Sequence, residues 1–187
     1  MMAPWPIASC APFCDEPMGD PGSKISRVLE ALDIYLPGAS SLLELGCGTG
    51  AVLAGLTELN LLIGLDRSRE MLSRAREKIA SAHFVEGDMT EFAFHEQFDV
   101  IICVCDTLNH LPTFDAWLAT FLRVADHLAT DGLFLLDVDT IGLGVELIRI
   151  KQALATDFDL LEESDPDGRR PTDESARAYY VYRRCPR

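Results

Sequence analysis

The chain has 187 residues, a single-domain length, and 48% of them are hydrophobic against 25% charged, the balance of an ordinary globular domain. With 30 acids against 16 bases the net charge is −14, which argues against a phosphate-binding face and removes nucleic acid from the expected partners. No apolar run reaches the roughly 18 residues that cross a bilayer, so no membrane partner is expected. The six cysteines show no zinc-ligand spacing with histidine, which implies no metal and reduced thiols in a cytoplasmic protein.

Residues 1–22 carry five prolines, two cysteines and no steady apolar period, and read as an irregular arm preceding one domain over 23–187. Within it Ile7-Ala8-Ser9-Cys10 has the look of a lipoprotein cleavage site, but no basic segment precedes it and export is not expected. From Ser23 the three-to-four spacing of Ile25, Val28, Leu29 and Leu32 predicts a helix that ends at Pro37-Gly38. Strands and helices then alternate. The predicted strands are Ser41–Leu45, Leu61–Leu65, His83–Glu86, Phe98–Val104 and Leu133–Val138. Between them come helices over Ala51–Leu59, from the cap Ser68 through Ile79, from the cap Thr113 through Leu128, and over Leu143–Leu154. The chain ends in two strands, Phe158–Glu163 and Ala176–Arg183, joined by a polar loop, which reads as an antiparallel hairpin.

Apolar strands separated by helices predict an α/β fold: a doubly wound, mostly parallel seven-stranded sheet, helices on both faces, and the antiparallel hairpin at the carboxyl terminus. Right-handed crossovers put every strand-to-helix turn along one edge, where ligands of such sheets bind.

At that edge the first turn reads Glu44-Leu45-Gly46-Cys47-Gly48-Thr49-Gly50. Gly46 and Gly48 allow a ligand to approach bare backbone, and Gly50 allows a helix to start close to the strand. Asp66 falls twenty residues after Gly46, at the end of the second strand, where a carboxylate accepts ribose hydroxyls. Glycines plus Asp66 point to an adenine nucleoside without choosing between a dinucleotide and a sulfonium. Three features favour the sulfonium: the carboxylate of Glu44 beneath the turn, a further acid in Gly87-Asp88-Met89 after the third strand, and the closing hairpin.

These elements together resemble class I, Rossmann-like S-adenosylmethionine-dependent methyltransferases of the small-molecule type, over residues 24–184. The resemblance implies S-adenosyl-L-methionine as cofactor. Its contacts are then Glu44 and Gly46, Cys47, Gly48 and Gly50 at the methionine portion, Asp66 with its neighbour Arg67 at the ribose, Asp88 and Met89 at the adenine, and Cys105 at the sulfonium end. The stretch Asp106-Thr107-Leu108-Asn109-His110-Leu111 is similar to that of methyltransferases acting on small metabolites, not nucleobases. His110 is the candidate base for the acceptor's proton, set against a purely structural role in the Leu111-Pro112 turn. His83, His95 and His127 read as structural, the last on a helix surface.

The implied activity is in-line transfer of a methyl group to N or O of a small-molecule acceptor. Two other readings stay open: a non-catalytic protein binding S-adenosylmethionine or S-adenosylhomocysteine, and an NAD-dependent oxidoreductase. Relatives with this stretch often carry an inserted antiparallel segment after the fifth strand, and here Asp137-Val138-Asp139-Thr140 leaves no room for one. The acceptor side is thus expected to be open, completed by a second copy in a homodimer, or absent.

Overall fold

The computed structural model describes residues 21–139, 147–172 and 175–186. The expected arm lies outside them except at its end, where helix α1 (Pro21–Tyr35) already begins. The following elements are β1 (Ser41–Leu45), a 3₁₀ turn (Leu53–Gly55), β2 (Leu61–Asp66), α2 (Arg69–Lys78), β3 (His83–Glu86) and β4 (Phe98–Cys103). A second 3₁₀ turn (Thr107–His110) leads to α3 (Phe114–His127), β5 (Leu128–Asp139), α4 (Leu147–Leu154), β6 (Phe158–Ser164) and β7 (Arg177–Arg184). The expected start of the last helix at 143 falls outside the described residues.

The sheet has seven strands in the order β3-β2-β1-β4-β5-β7-β6. The first five pair in parallel, and β7 runs antiparallel to both β5 and β6. Winding reverses between β1 and β4, so the crevice for a ligand opens beyond the carboxyl ends of those two strands. Leu42 and Leu62 face one apolar layer with Val28 and Leu32 of α1 and Leu72 of α2. Leu43, Leu65 and Phe134 face the other, with Trp117, Phe121 and Val124 of α3 and Ile150 of α4. Burial on both faces explains why these strands read as largely apolar runs.

Two helices start where their caps predict. Ser68 Oγ accepts the Met71 amide at 3.3 Å, and Thr113 Oγ1 accepts that of Ala116 at 3.2 Å. One expected helix is not there: over Ala51–Leu59 the chain forms only the short 3₁₀ turn. Gly50 has φ +74°, and Gly55 packs so closely on α1 that a Cβ there would lie 2.5 Å from Ile25. A segment that follows a left-handed glycine and carries a second one at its middle has weak helix propensity, and it is held by packing of Leu53 and Leu56 instead. Strand β5 is also longer than expected, because Leu128 already pairs with Phe98 and Asp131, at φ +62°, bends within the strand rather than ending it.

His127 is not on a helix surface. It is buried, Nε2 accepts the Phe94 amide at 2.9 Å, and Nδ1 lies 2.7 Å from the Arg123 carbonyl. Since Nε2 accepts, the ring is the neutral tautomer that donates from Nδ1. It also packs against Phe92, centroid to centroid 4.7 Å, and so fixes the loop that follows Asp88.

The starts of β1 and β4 are joined by Asp99, whose Oδ2 accepts from the Ser40 amide at 2.8 Å, the Ser40 hydroxyl at 2.8 Å and the Ser41 amide at 3.0 Å. Burial resists ionisation of Asp99, but these hydrogen bonds outweigh it and hold the carboxyl below its ordinary value. Asp99→Ala is expected to lower unfolding free energy by about 2 kcal/mol near neutral pH, the scale of hydrogen bonds to a charged group. The parent's advantage is present above the ordinary aspartate range and lost as pH falls through the depressed value. Urea melts of both proteins at pH 7 and pH 3 check this; an equal gap at both would remove Asp99 from the role.

Candidate functional site

The carboxyl ends of β1, β2 and β3 adjoin, and their turns are tied to one another. After β1 the backbone takes positive φ at Gly46 (+68°), Gly48 (+53°) and Gly50 (+74°). The amides of Gly46 and Cys47 donate to the Leu65 carbonyl at 2.7 and 3.0 Å. Gly46 also faces the loop after β4, where a Cβ would fall 2.2 Å from Cγ2 of Thr107, so no larger residue fits there without moving that loop.

Asp66 at the end of β2 takes two backbone donors: Oδ2 accepts the Gly48 amide and Oδ1 the Ser68 amide, both at 2.8 Å. One carboxylate thus closes the glycine turn and starts α2, a structural task in addition to the ribose contact expected of it. Next along the edge, the Gly87 amide donates to the Asp66 carbonyl at 3.0 Å. Asp88 accepts from the Thr90 amide at 2.9 Å and its hydroxyl at 2.7 Å, and Arg67 lies 3.6 Å away. Burial opposes the charge on Asp88, but Thr90 and Arg67 outweigh it and keep the carboxyl below its usual value. Arg67 itself is mostly exposed. Met89 is buried in the layer beside Phe92, under this loop.

Glu44 lies below the turn, only 3% exposed. The Leu53 amide donates to its carboxyl, while Oε2 is buried with no hydrogen-bond partner among the described residues. Burial, then the charge of Asp66, raises its pKa well above the ordinary value. Burial, then the charges of Glu44 and Asp66, also raises that of the Cys47 thiol. Cys105, under burial and the charges of Asp137 and Glu44, is pushed up to about 12. Neither thiol is therefore a thiolate nucleophile at neutral pH.

Across the switch point, the loop after β4 turns through two left-handed residues, Cys105 (φ +60°) and Asp106 (φ +63°). Their amides donate to Oδ2 and Oδ1 of Asp137 in β5, at 3.2 and 3.0 Å. Arg177 of β7 lies 2.7 Å from Asp106 Oδ2 and 3.6 Å from Asp137 Oδ2. Asn109 is structural: its side chain donates to the Asp139 carbonyl at 3.0 Å and accepts the Asp139 amide at 3.3 Å. His110 is exposed, yet near enough for its charge to act on Asp106. Asp137 and Arg177 carry no motif, and the sequence assigns neither of them a role at the site. The one sequence clue is an acid in the middle of the apolar run Leu133–Val138, since a carboxylate buried there requires partners.

The structure therefore brings Glu44, the glycine turn, Asp66, Arg67 and Asp88 together at one edge, with Cys105 beside the turn across β4. His110 lies farther along, outside that group. Oxygen acceptors for hydroxyls, a buried Glu44 oxygen with no hydrogen-bond partner among the described residues and half-buried glycine backbone at a turn form an acceptor-rich set suited to a cationic adenosine compound.

The fold is that of the class I S-adenosylmethionine-dependent methyltransferases. It superposes on an S-adenosylmethionine-dependent methyltransferase of Clostridium acetobutylicum with a TM-score of 0.84 at 17% identity, covering 95% of this chain and 97% of that one. An amino pentose methyltransferase of Micromonospora echinaspora, solved with S-adenosylmethionine bound, gives a TM-score of 0.79 at 17% identity over 98% of this chain and 99% of that one. At the level of sequence, residues 42–132 match the family described as a methyltransferase domain. A putative methyltransferase of Bacillus subtilis is 38% identical over 112 residues, 57% of this chain and 45% of that protein. A dTDP-3-amino-3,4,6-trideoxy-alpha-D-glucopyranose N,N-dimethyltransferase of Streptomyces venezuelae is 29% identical over 119 residues, 63% of this chain and 50% of that protein. The chain spans about half the length of these two relatives.

Because the pKa of Glu44 is raised on folding, the folded chain binds more protons than the unfolded chain between the ordinary value of 4.5 and the raised one. Stability therefore falls as pH rises through that window. Glu44→Gln retains an acceptor for the Leu53 amide and removes the charge. Its melting temperature is expected to exceed the parent's by a margin that grows with pH above 4.5; a margin independent of pH would mean that folding does not raise the pKa of Glu44.

Proposed function

We propose that the chain binds S-adenosyl-L-methionine at the edge formed by Glu44, the Gly46–Gly50 turn, Asp66 and Asp88, and transfers its methyl group to a nitrogen or oxygen of a small-molecule acceptor. The observation that carries this reading is the joining of three strand ends through Asp66, which takes the Gly48 amide while its own carbonyl takes the Gly87 amide. A single adenosine-bearing molecule laid along them meets bare backbone, then one carboxylate, then a second.

The bound cofactor supplies an already activated methyl group on a positively charged sulfur, so the protein needs no nucleophile of its own, in keeping with the raised thiols of Cys47 and Cys105. The chain's contribution is placement. Asp66 orients the ribose, Asp88 with Arg67 beside it faces the adenine, and Glu44 with the glycine turn supports the cationic methionine end. Alignment of the acceptor with the methyl group and exclusion of water provide the rate gain. His110, exposed near Asp106, takes the proton from an acceptor that carries one at working pH. A nitrogen acceptor is favoured by relatives named as amino-sugar N,N-dimethyltransferases.

Calorimetry with S-adenosylhomocysteine, S-adenosylmethionine and NAD tests the assignment. Binding of the first two and not of NAD is expected, and preference for NAD would overturn it. Product formation across a panel of amino sugars, other amines and carboxylates then separates an enzyme from a binding protein. Asp66→Ala is expected to weaken S-adenosylhomocysteine binding by about 1.5–3 kcal/mol, the scale of charge-assisted hydrogen bonds. His110→Ala is expected to lower turnover and leave cofactor affinity unchanged; an unchanged rate would return His110 to a structural role.

A further inference from the structure

Two consecutive non-glycine residues in the left-handed region are conformationally costly and persist only where the surroundings impose them. At Cys105 and Asp106 the imposing group is visible. Asp137 is fully buried at 0% exposure, and its two oxygens receive the two consecutive amides of the turn. Successive amides of this kind form a small anion-binding concavity, and here the anion is the protein's own carboxylate. In a planar trans peptide the carbonyl leaves on the side opposite the N–H. With the Asp106 amide tied back to Asp137, the Cys105 carbonyl is directed away from that carboxylate.

A carboxylate this deeply buried requires a counter-charge. Arg177 provides it from the first residue of β7, with Nη1 3.6 Å from Asp137 Oδ2, and also fastens Asp106 through Nη2 at 2.7 Å. The charge of Lys24 in the first turn of α1 acts on Asp137 in the same sense. The turn so held is the one that packs Thr107 against Gly46, so a change in it reaches the glycine turn directly.

We propose that Asp137 and Arg177 are positioning residues for the cofactor's methionine end: Asp137 holds the Cys105–Asp106 turn in its left-handed form, and the carboxyl-terminal hairpin, through Arg177, stabilises that hold. This rests on the methyltransferase reading above. The hold itself is a property of the apo chain and is measured separately.

The test uses the full chain and S-adenosylhomocysteine as probe. Asparagine at position 137 offers one acceptor for two amides, so Asp137→Asn is expected to weaken binding about tenfold or more while the sheet stays folded by circular dichroism. Adding Cys105→Gly, which removes the conformational cost of a left-handed residue, is expected to recover most of that loss. Arg177→Lys is expected to bind within about threefold of the parent, and Arg177→Met at least tenfold more weakly. Unaltered affinity in Asp137→Asn, or no recovery with glycine, would overturn the proposal. Amide hydrogen exchange at Cys105 and Asp106 gives the independent readout: faster exchange in Asp137→Asn is expected, and unchanged protection would overturn the hold whatever the ligand does. A parent chain that binds no S-adenosylhomocysteine would instead overturn the methyltransferase reading, with exchange still deciding whether Asp137 holds the turn. If Asp137→Asn does not fold, Arg177→Met against Arg177→Lys carries the same decision.

Discussion

The carboxylate of Asp66 is the interaction on which the candidate site depends. A parallel sheet leaves its turns with backbone amides that the ladder does not satisfy, and a glycine turn leaves several close together. Here the Leu65 carbonyl takes those of Gly46 and Cys47, and Asp66 takes those of Gly48 and Ser68. The end of β2 therefore sets the shape of the turn after β1 and the start of α2 at once. Because an ionised acceptor forms the stronger kind of hydrogen bond, the charge expected to meet a ribose is also the charge that closes the turn. Fold and binding edge cannot be altered separately at this position.

Charge along the edge follows from placement rather than from the bulk composition. Glu44, Asp106 and Asp137 all have pKa values raised by burial before any other influence. Each costs the apo fold something that a cation in the crevice would offset. Arg177 and Lys24 offset part of it on the β5 side. Glu44 has no basic neighbour acting on it among the causes of its shift, and the turn above it is where a positively charged ligand would have the largest effect. In the proposed reading it is these few buried carboxylates, rather than the overall excess of acids, that favour a cationic ligand.

Much of this was legible in the chain itself because the signals were local and agreed with one another. Largely apolar runs gave β1, β2 and β4, and Ser68 and Thr113 marked their helices by the atoms that cap them. The glycine turn, Asp66 and Gly87-Asp88 marked three strand ends that the structure joins at one edge. What escaped depended on contacts distant in sequence. The helix expected after Gly50 fails because Gly55 is pressed against Ile25 of α1, a neighbour thirty residues earlier that no periodicity reveals. His127 looked like a surface residue because its partners, Phe92 and Phe94, belong to a loop more than thirty residues away.

Arg177 was missed for a topological reason. In a parallel sheet, functional groups are sought after each strand, since all strands finish at the ligand edge. β7 runs the other way, with Arg177 opposite Asp139 and Arg183 opposite Leu133. An antiparallel strand beside β5 begins where β5 ends, so its first residues, and not its last, stand at the edge where ligands bind. A hairpin appended to a parallel sheet thus does more than cover the flank of β5. It brings the start of a strand to the edge, and with it a long cationic side chain able to reach back over the switch point. Among the described residues, the hairpin is the element placed to support the loop after β4.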